Sequence, residues 1–211
     1  MKVKVCGITQ IEQLIKLDEL GVDYAGMIFY ENSARFVLNK MNSKLVKDAN
    51  LNIKKVGVFV NSNEEQIKTM IEEYELDFIQ LHGDETPLFC KQVNKHAPVI
   101  KAFRINEKNE QNIDWMVKPY NEFCTYFLFD THSKSGYGGT GLKFNWNAIQ
   151  NDKIEKEFFL SGGIGIEDTD QIQNFSHPFF YGIDLNSKLE TSPGIKDLEK
   201  VKVMNNLKNN R

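Results

Sequence analysis

Nowhere in the 211-residue chain do about 18 apolar residues run together, so it offers nothing of the length that a membrane-crossing helix needs. Met1 to Cys6 also lacks an apolar signal core and a small-residue cleavage site, because charge alternates there with valine, and a cytoplasmic location is expected. Cysteine is scarce: Cys6, Cys90 and Cys124 are too few and too scattered for a disulfide framework, show no C-x-x-C pair for zinc, and are expected as free thiols. Among the histidines His82, His96, His132 and His177 no His-x-His or HExxH spacing occurs, and a metal set of His82, His132 and Asp130 gathered across strands is set aside; no metal is expected. Neither charge sign dominates. The formal net charge is −3 and basic residues gather only in a modest Lys/Asn-rich tail, so nucleic acid is not an expected partner. The phosphate loop G-x-x-x-x-G-K-[ST] and the dinucleotide loop G-x-G-x-x-G are both missing, so neither ATP nor NAD is implied and no cofactor is expected.

What is present is a repeated alternation. Short β-rich runs stand at KVKVC (2–6), YAGMIF (24–29), KKVGVFV (54–60) and DFIQL (77–81), then at PVIKAF (98–103), TYFLFD (125–130), EFFLS (157–161) and FYGIDL (180–185). Helical patterns lie between them. Thr9 with Glu12 and Ser62 with Glu65 read as capping boxes, Gly21 as a stop, Thr86–Pro87 as a helix start, and Asp197 as the start of a last helix carrying Leu198, Val201, Met204 and Leu207. Weaker helical patterns lie around 40–50, 107–117 and 143–150. Eight βα units of roughly 25 residues suit a closed (β/α)8 barrel, a TIM barrel. An open doubly wound sheet has the same periodicity and stays open as an alternative. No linker divides the chain, so residues 1–211 read as one domain.

Barrel enzymes build their sites where strands end. The exits carry Cys6, Tyr30, Asn61, His82, Arg104, Asp130, Ser161 and Asp184, against strand interiors of mainly Val, Ile and Phe; loops are also polar for no functional reason. Two glycine-rich strings, YGGTGLKF (137–144) and SGGIG (161–165), follow neighbouring strands, and glycine lets backbone N–H groups converge on an anion. Plain turn geometry explains one such string; two on adjacent exits point to a phosphate. Cys6 is either a small buried hydrophobe or a reactive thiol, and Asp130, closing the apolar run YFLF, either caps a turn or faces a polar site. Taken together they are a candidate base and acid. Arg35 is either solvent-exposed or a clamp for a carboxylate. His82 satisfies a hydrogen bond or lines the site.

The strings KVCGIT (4–9), QLHGDE (80–85), DTHSKSGYGGTGLKFNW (130–146) and SPGIKD (192–197) resemble phosphoribosylanthranilate isomerase, from the first strand to the start of the last helix. The resemblance implies a cofactor-free barrel that carries out an Amadori rearrangement of a small phosphorylated substrate in tryptophan biosynthesis, as a monomer or homodimer. It implies Cys6 as general base, Asp130 as general acid, Arg35 at the anthranilate carboxylate and Asp184 near the sugar hydroxyls. Phosphate would lie among Gly139, Thr140, Gly141, Gly162, Gly163, Asn186 and Ser187. Two positions depart from the family pattern: Lys188 replaces a usual glycine in the strand-eight phosphate loop, and Ala34 replaces a common proline beside Arg35. The alternatives are a metal-dependent phosphosugar epimerase barrel and a non-catalytic barrel that binds a phosphorylated metabolite.

Overall fold

The β-branched and aromatic runs form eight parallel strands: β1 (Lys2–Cys6), β2 (Tyr24–Ile28), β3 (Lys54–Phe59), β4 (Phe78–Leu81), β5 (Val99–Ile105), β6 (Tyr126–Thr131), β7 (Phe158–Leu160) and β8 (Phe180–Leu185). In this computed structural model, which describes residues 1–106, 109–131, 146–150 and 152–210, they pair in chain order and β8 closes on β1. That pairing decides for the barrel over the open sheet. Helices α1 (Ile11–Glu19), α2 (Ser43–Asp48), α3 (Glu64–Tyr74), α4 (Pro87–Val93), α5 (Ile113–Val117), α6 (Asn147–Gln150) and α7 (Thr169–Asn174) connect the strands. A short hairpin of β9 (Glu190–Ser192) and β10 (Ile195–Lys196), which the sequence pattern did not announce, precedes α8 (Leu198–Asn206). Among the described residues no helix is long and apolar enough to cross a membrane.

The strands bury both faces, as parallel sheets must. Outward residues such as Val3, Val5, Ile79 and Phe127 join Leu14, Leu17, Val93 and Met204 of the helices in one large core. Inward residues stack in rings drawn from alternate strands, as the pairing registers dictate. The lowest ring is aromatic: Tyr24, Phe78, Tyr126 and Tyr181, with Tyr126 stacked on Tyr181 at 4.4 Å between centroids and the Tyr24 and Tyr181 hydroxyls 2.8 Å apart. Tyr181 joins it because the β7–β8 register shifts between Phe158 and Phe159. Above it lie Val56, Ile100, Phe159 and, from β1, Lys4. Gly26, Gln80, Leu128 and Asp184 come next, followed by Cys6, Val58, Ala102 and Ser161. His82 and Asp130 reach the rim.

Two helix starts differ from the sequence expectation. Gln10, not Thr9, is the N-cap of α1, and it makes no side-chain cap bond; the Thr9 hydroxyl instead donates to the Gly194 carbonyl at 2.8 Å. The second capping box lies one residue later than expected, with Asn63 and Gln66 in place of Ser62 and Glu65. Thr86 and Asp197 cap α4 and α8 as expected, and Gly21 turns the chain after α1 at φ +71°. The three weak patterns mark real but short helices, α2, α5 and α6.

Candidate active site

Cys6 ends β1 with its side chain inward and only 4% of the residue exposed. Two glycines make that placement fit. A Cβ on Gly26 of β2 would stand 2.7 Å from the Cys6 sulfur, so only glycine leaves the thiol its room. Gly7, at φ +78°, turns the backbone directly after Cys6, and a Cβ there would meet Arg35 Cδ at 2.6 Å and Asn186 Oδ1 at 2.8 Å. Arg35 and Asn186 therefore pack beside the residue that follows the thiol.

Below the thiol lies a buried ion pair. Lys4 Nζ donates to Asp184 Oδ1 at 2.6 Å, and the Ser161 hydroxyl donates to Asp184 Oδ2 at 3.1 Å. Burial pushes the Cys6 thiol above its usual range, against the opposing pull of Lys4 and Lys196. For Lys4 itself burial acts to lower the value, but Asp184 and Cys6 outweigh it and hold the ammonium above the ordinary 10.5.

Arg35 stands in the turn segment after β2 and is not the free clamp of the sequence reading. Its Nε donates to Glu190 Oε1 at 2.9 Å and its Nη2 to Oε2 at 2.5 Å, so one edge of the guanidinium is committed to an internal carboxylate. Its side chain is 14% exposed, which also rules out the plain solvent-facing alternative. Glu190 in turn takes Lys196 Nζ at 2.6 Å and the Gly194 N–H at 3.0 Å, and Lys196 donates to Asn186 Oδ1 at 2.8 Å. Arg35, Glu190, Lys196 and Asn186 thus form one chain of contacts from the β2 loop to the end of β8.

Asp130, buried at the end of β6, stands three strands round the barrel from Cys6. Its Oδ2 lies 3.1 Å from His82 Nε2, and His82 Nδ1 lies 2.9 Å from Gln80 Nε2. As placed, the Gln80 amide donates to Nδ1, which puts the ring proton on Nε2, facing the carboxylate. Gln80 Oε1 is buried without a partner, and turning the amide over would let it accept from Nδ1–H instead. Glu85 and Lys101 hold the loop that carries His82: Glu85 accepts from the Gly83 and Asn61 N–H groups, and Lys101 Nζ donates to Glu85 at 3.0 Å and to the Gly83 carbonyl at 2.9 Å.

The candidate phosphate residues divide. Gly139, Thr140 and Gly141 lie outside the described residues, as does His132. Gly162 and Gly163 take positive φ of 96° and 67° directly after β7, a conformation that glycine alone adopts readily. Asn186 and Ser187 open the 3-10 turn after β8. Lys188 is half exposed and its ammonium faces Glu167 at 3.5 Å.

Sequence reasoning singled out Cys6, Arg35, Asp184 and Asn186, which the structure gathers into one cluster, and His82 and Asp130, which it gathers into another. It missed Lys4, Gln80, Glu190 and Lys196. Lys4 carried a signal: it sits two residues before Cys6 in a strand and so shares its inward face. Lys196 lies in the SPGIKD string, though nothing in it tied the lysine to Cys6, and Glu190, beyond the eighth strand, carried none.

The model of the family described as N-(5'phosphoribosyl)anthranilate (PRA) isomerase matches residues 3–206. The N-(5'-phosphoribosyl)anthranilate isomerase of Parabacteroides distasonis is 42% identical over 204 residues, covering 96% of this chain and 90% of that protein. The crystal structure of phosphoribosyl anthranilate isomerase from Thermotoga maritima superposes with a TM-score of 0.86 at 30% identity over the whole of both chains. A phosphoribosyl anthranilate isomerase solved in complex with reduced 1-(o-carboxyphenylamino)-1-deoxyribulose 5-phosphate gives a TM-score of 0.83 at 29% identity, again over both chains in full.

Proposed function

Since the chain belongs to the N-(5'-phosphoribosyl)anthranilate isomerase family, we propose how its own residues divide the family's reaction. It isomerises N-(5'-phosphoribosyl)anthranilate to 1-(2-carboxyphenylamino)-1-deoxyribulose 5-phosphate, an Amadori rearrangement in tryptophan biosynthesis. Family membership selects this activity over the metal-dependent epimerase. The observation that carries the division of roles is a thiol and a carboxylate at the ends of β1 and β6, facing the same mouth of one closed barrel.

Asp130 donates its proton to the furanose ring oxygen as the C1–O bond breaks, and the nitrogen lone pair forms the C=N bond of an iminium. That cation acidifies the C2 proton, which the Cys6 thiolate removes. The C–H electrons form C1=C2 and those of C=N return to nitrogen, giving an enolamine. A proton from solvent adds at C1 while the C2 hydroxyl gives one to the Asp130 carboxylate, Cys6 releases the C2 proton to solvent, and the ketone results with both groups restored. The imine is the electron sink, so the sequence of steps calls for no metal or organic cofactor. His82 orients the Asp130 carboxyl, Asp184 meets the sugar hydroxyls and the Arg35 edge turned from Glu190 takes the anthranilate carboxylate. Gly139 to Gly141, Gly162, Gly163, Asn186 and Ser187 hold the phosphate. The enzyme works in the cytoplasm as one domain, as a monomer or homodimer, which sedimentation distinguishes.

The test follows the loss of fluorescence from phosphoribosylanthranilate generated in situ. Cys6→Ser and Asp130→Asn are each expected to lower turnover by roughly two to four orders of magnitude, the scale of one positioned acid or base. Turnover at the parent rate in either variant sinks the role given to that residue.

A further inference from the structure

The second ring of the barrel interior holds Val56, Ile100 and Phe159, and the fourth member is a lysine with no exposed surface. A barrel closes well with branched apolar residues at such positions. Burying an ammonium there costs free energy that a hydrophobic side chain would not, even with a partner. Lys4 is paired with Asp184 and lies on the inward face of β1 two residues below Cys6.

Among the described residues, Lys4 on the same strand, Asp184 on β8, Lys196 on β10 and Arg35 after β2 are charged groups that face Cys6. Arg35 and Lys196 share Glu190, and Lys4 holds Asp184. Among the described residues three cations therefore stand against two carboxylates, and a thiolate at Cys6 would balance the positive charge left over. Water cannot supply that balance to so deeply buried a sulfur. Lys196 is the weaker cation, since burial pulls it below its usual range by more than Glu190 restores, whereas Lys4 stays firmly charged. Arg35 turns its engaged edge to Glu190.

We propose that Lys4 is a positioning residue for the isomerase reaction: held in place by Asp184, its ammonium is the fixed charge beside which Cys6 becomes a thiolate, an inference that rests on Cys6 being the base. The thiol first gives its proton to solvent, the thiolate takes the C2 proton in the reaction, and Lys4 keeps all of its own protons throughout. Asp184 then has two opposed effects. It holds Lys4 under the thiol, and its own negative charge disfavours the thiolate.

The experiment reads the Cys6 thiol directly. The full-length protein is alkylated with iodoacetamide across a pH series, and the labelled Cys6 peptide is quantified by mass spectrometry alongside turnover. In Lys4→Met the midpoint of alkylation is expected to move up by about one unit or more, so that the reactive fraction at fixed pH below it falls roughly tenfold. kcat is expected to fall with it while KM changes little, and Lys4→Arg restores both. An unchanged midpoint in Lys4→Met overturns the proposal, as does a shifted midpoint with unchanged kcat. If Lys4→Met does not fold, Lys4→Gln takes its place, and an unmoved midpoint there overturns the proposal. Cys6→Ser separates the two readings: full turnover there removes the base, whatever the alkylation series shows.

Discussion

Glu190 accepts two edges of positive charge at once, from Arg35 and from Lys196, and so fixes the direction in which Arg35 points. Burial alone would raise its carboxyl, but the hydrogen bonds from Arg35 and Lys196 outweigh that and hold it below the ordinary 4.5. Glu190 therefore stays ionised in neutral solution and the guanidinium is preset before substrate arrives. Arg35→Ala is expected to raise KM for phosphoribosylanthranilate by roughly tenfold to a hundredfold, the worth of one charged hydrogen bond. Inorganic phosphate affinity, measured by calorimetry on the same variant, should fall by less; equal losses would remove the carboxylate role. The sequence showed Arg35 as either exposed or free to clamp because its partner lies 155 positions away, in a hairpin that no periodic pattern announces. Cys6 and Asp130 were legible because a polar residue ending an apolar strand stands out in one line of text.

Where an element begins depends on which side chain spends its hydrogen bond locally. Thr9 has the composition of a cap, yet its hydroxyl goes to Gly194 and ties the loop after β1 to the β9–β10 hairpin. Such a long-range use leaves no trace in neighbouring residues. At α3 the two candidate caps are adjacent, and Asn63 wins, with its side chain accepting from the Gln66 N–H at 2.9 Å and Gln66 returning a bond to the Asn63 N–H. Asn63→Ala is expected to cost about 1 kcal/mol of stability and Ser62→Ala close to nothing. Thermal melts of the two variants check this, and equal losses would put the cap back at Ser62. Thr86 and Asp197 were read correctly because a proline at the first helical position and an amphipathic run directly after the cap leave no competing start.

The eight barrel strands were legible from their apolar runs, but their spatial order and closure were not, since a barrel and an open sheet share the same period. Closure shows instead in the seam where β8 pairs with β1; on the other side of β1, just before β2, stands Asp23. Its carboxylate takes the Val3 N–H at 2.9 Å, Lys2 at 2.9 Å and Lys208 at 2.5 Å, joining the first strand to the end of the chain. Burial raises the Asp23 carboxyl, but the bond from Lys208 and those from Val3 and Lys2 outweigh it, so the value lies below the ordinary 3.8. With the folded value depressed, the stability Asp23 adds is complete above 3.8 and is lost as pH falls through the lower, folded value. Urea midpoints of the parent and of Asp23→Asn are thus expected to differ at neutral pH and to converge in strong acid. A constant gap at every pH would deny the ion pairs their share.

The seam also orders events in time. Lys4 and Asp184 stand 180 positions apart, so β1 is made long before the strand that shelters it. Until β8 has been synthesised, β1 lacks one of its two neighbours, and its lysine and thiol remain open to water and to oxidants. A nascent chain halted before Asp184 holds Lys4 and Cys6 without their enclosure, and the cluster around them comes into being only once β8 has been made.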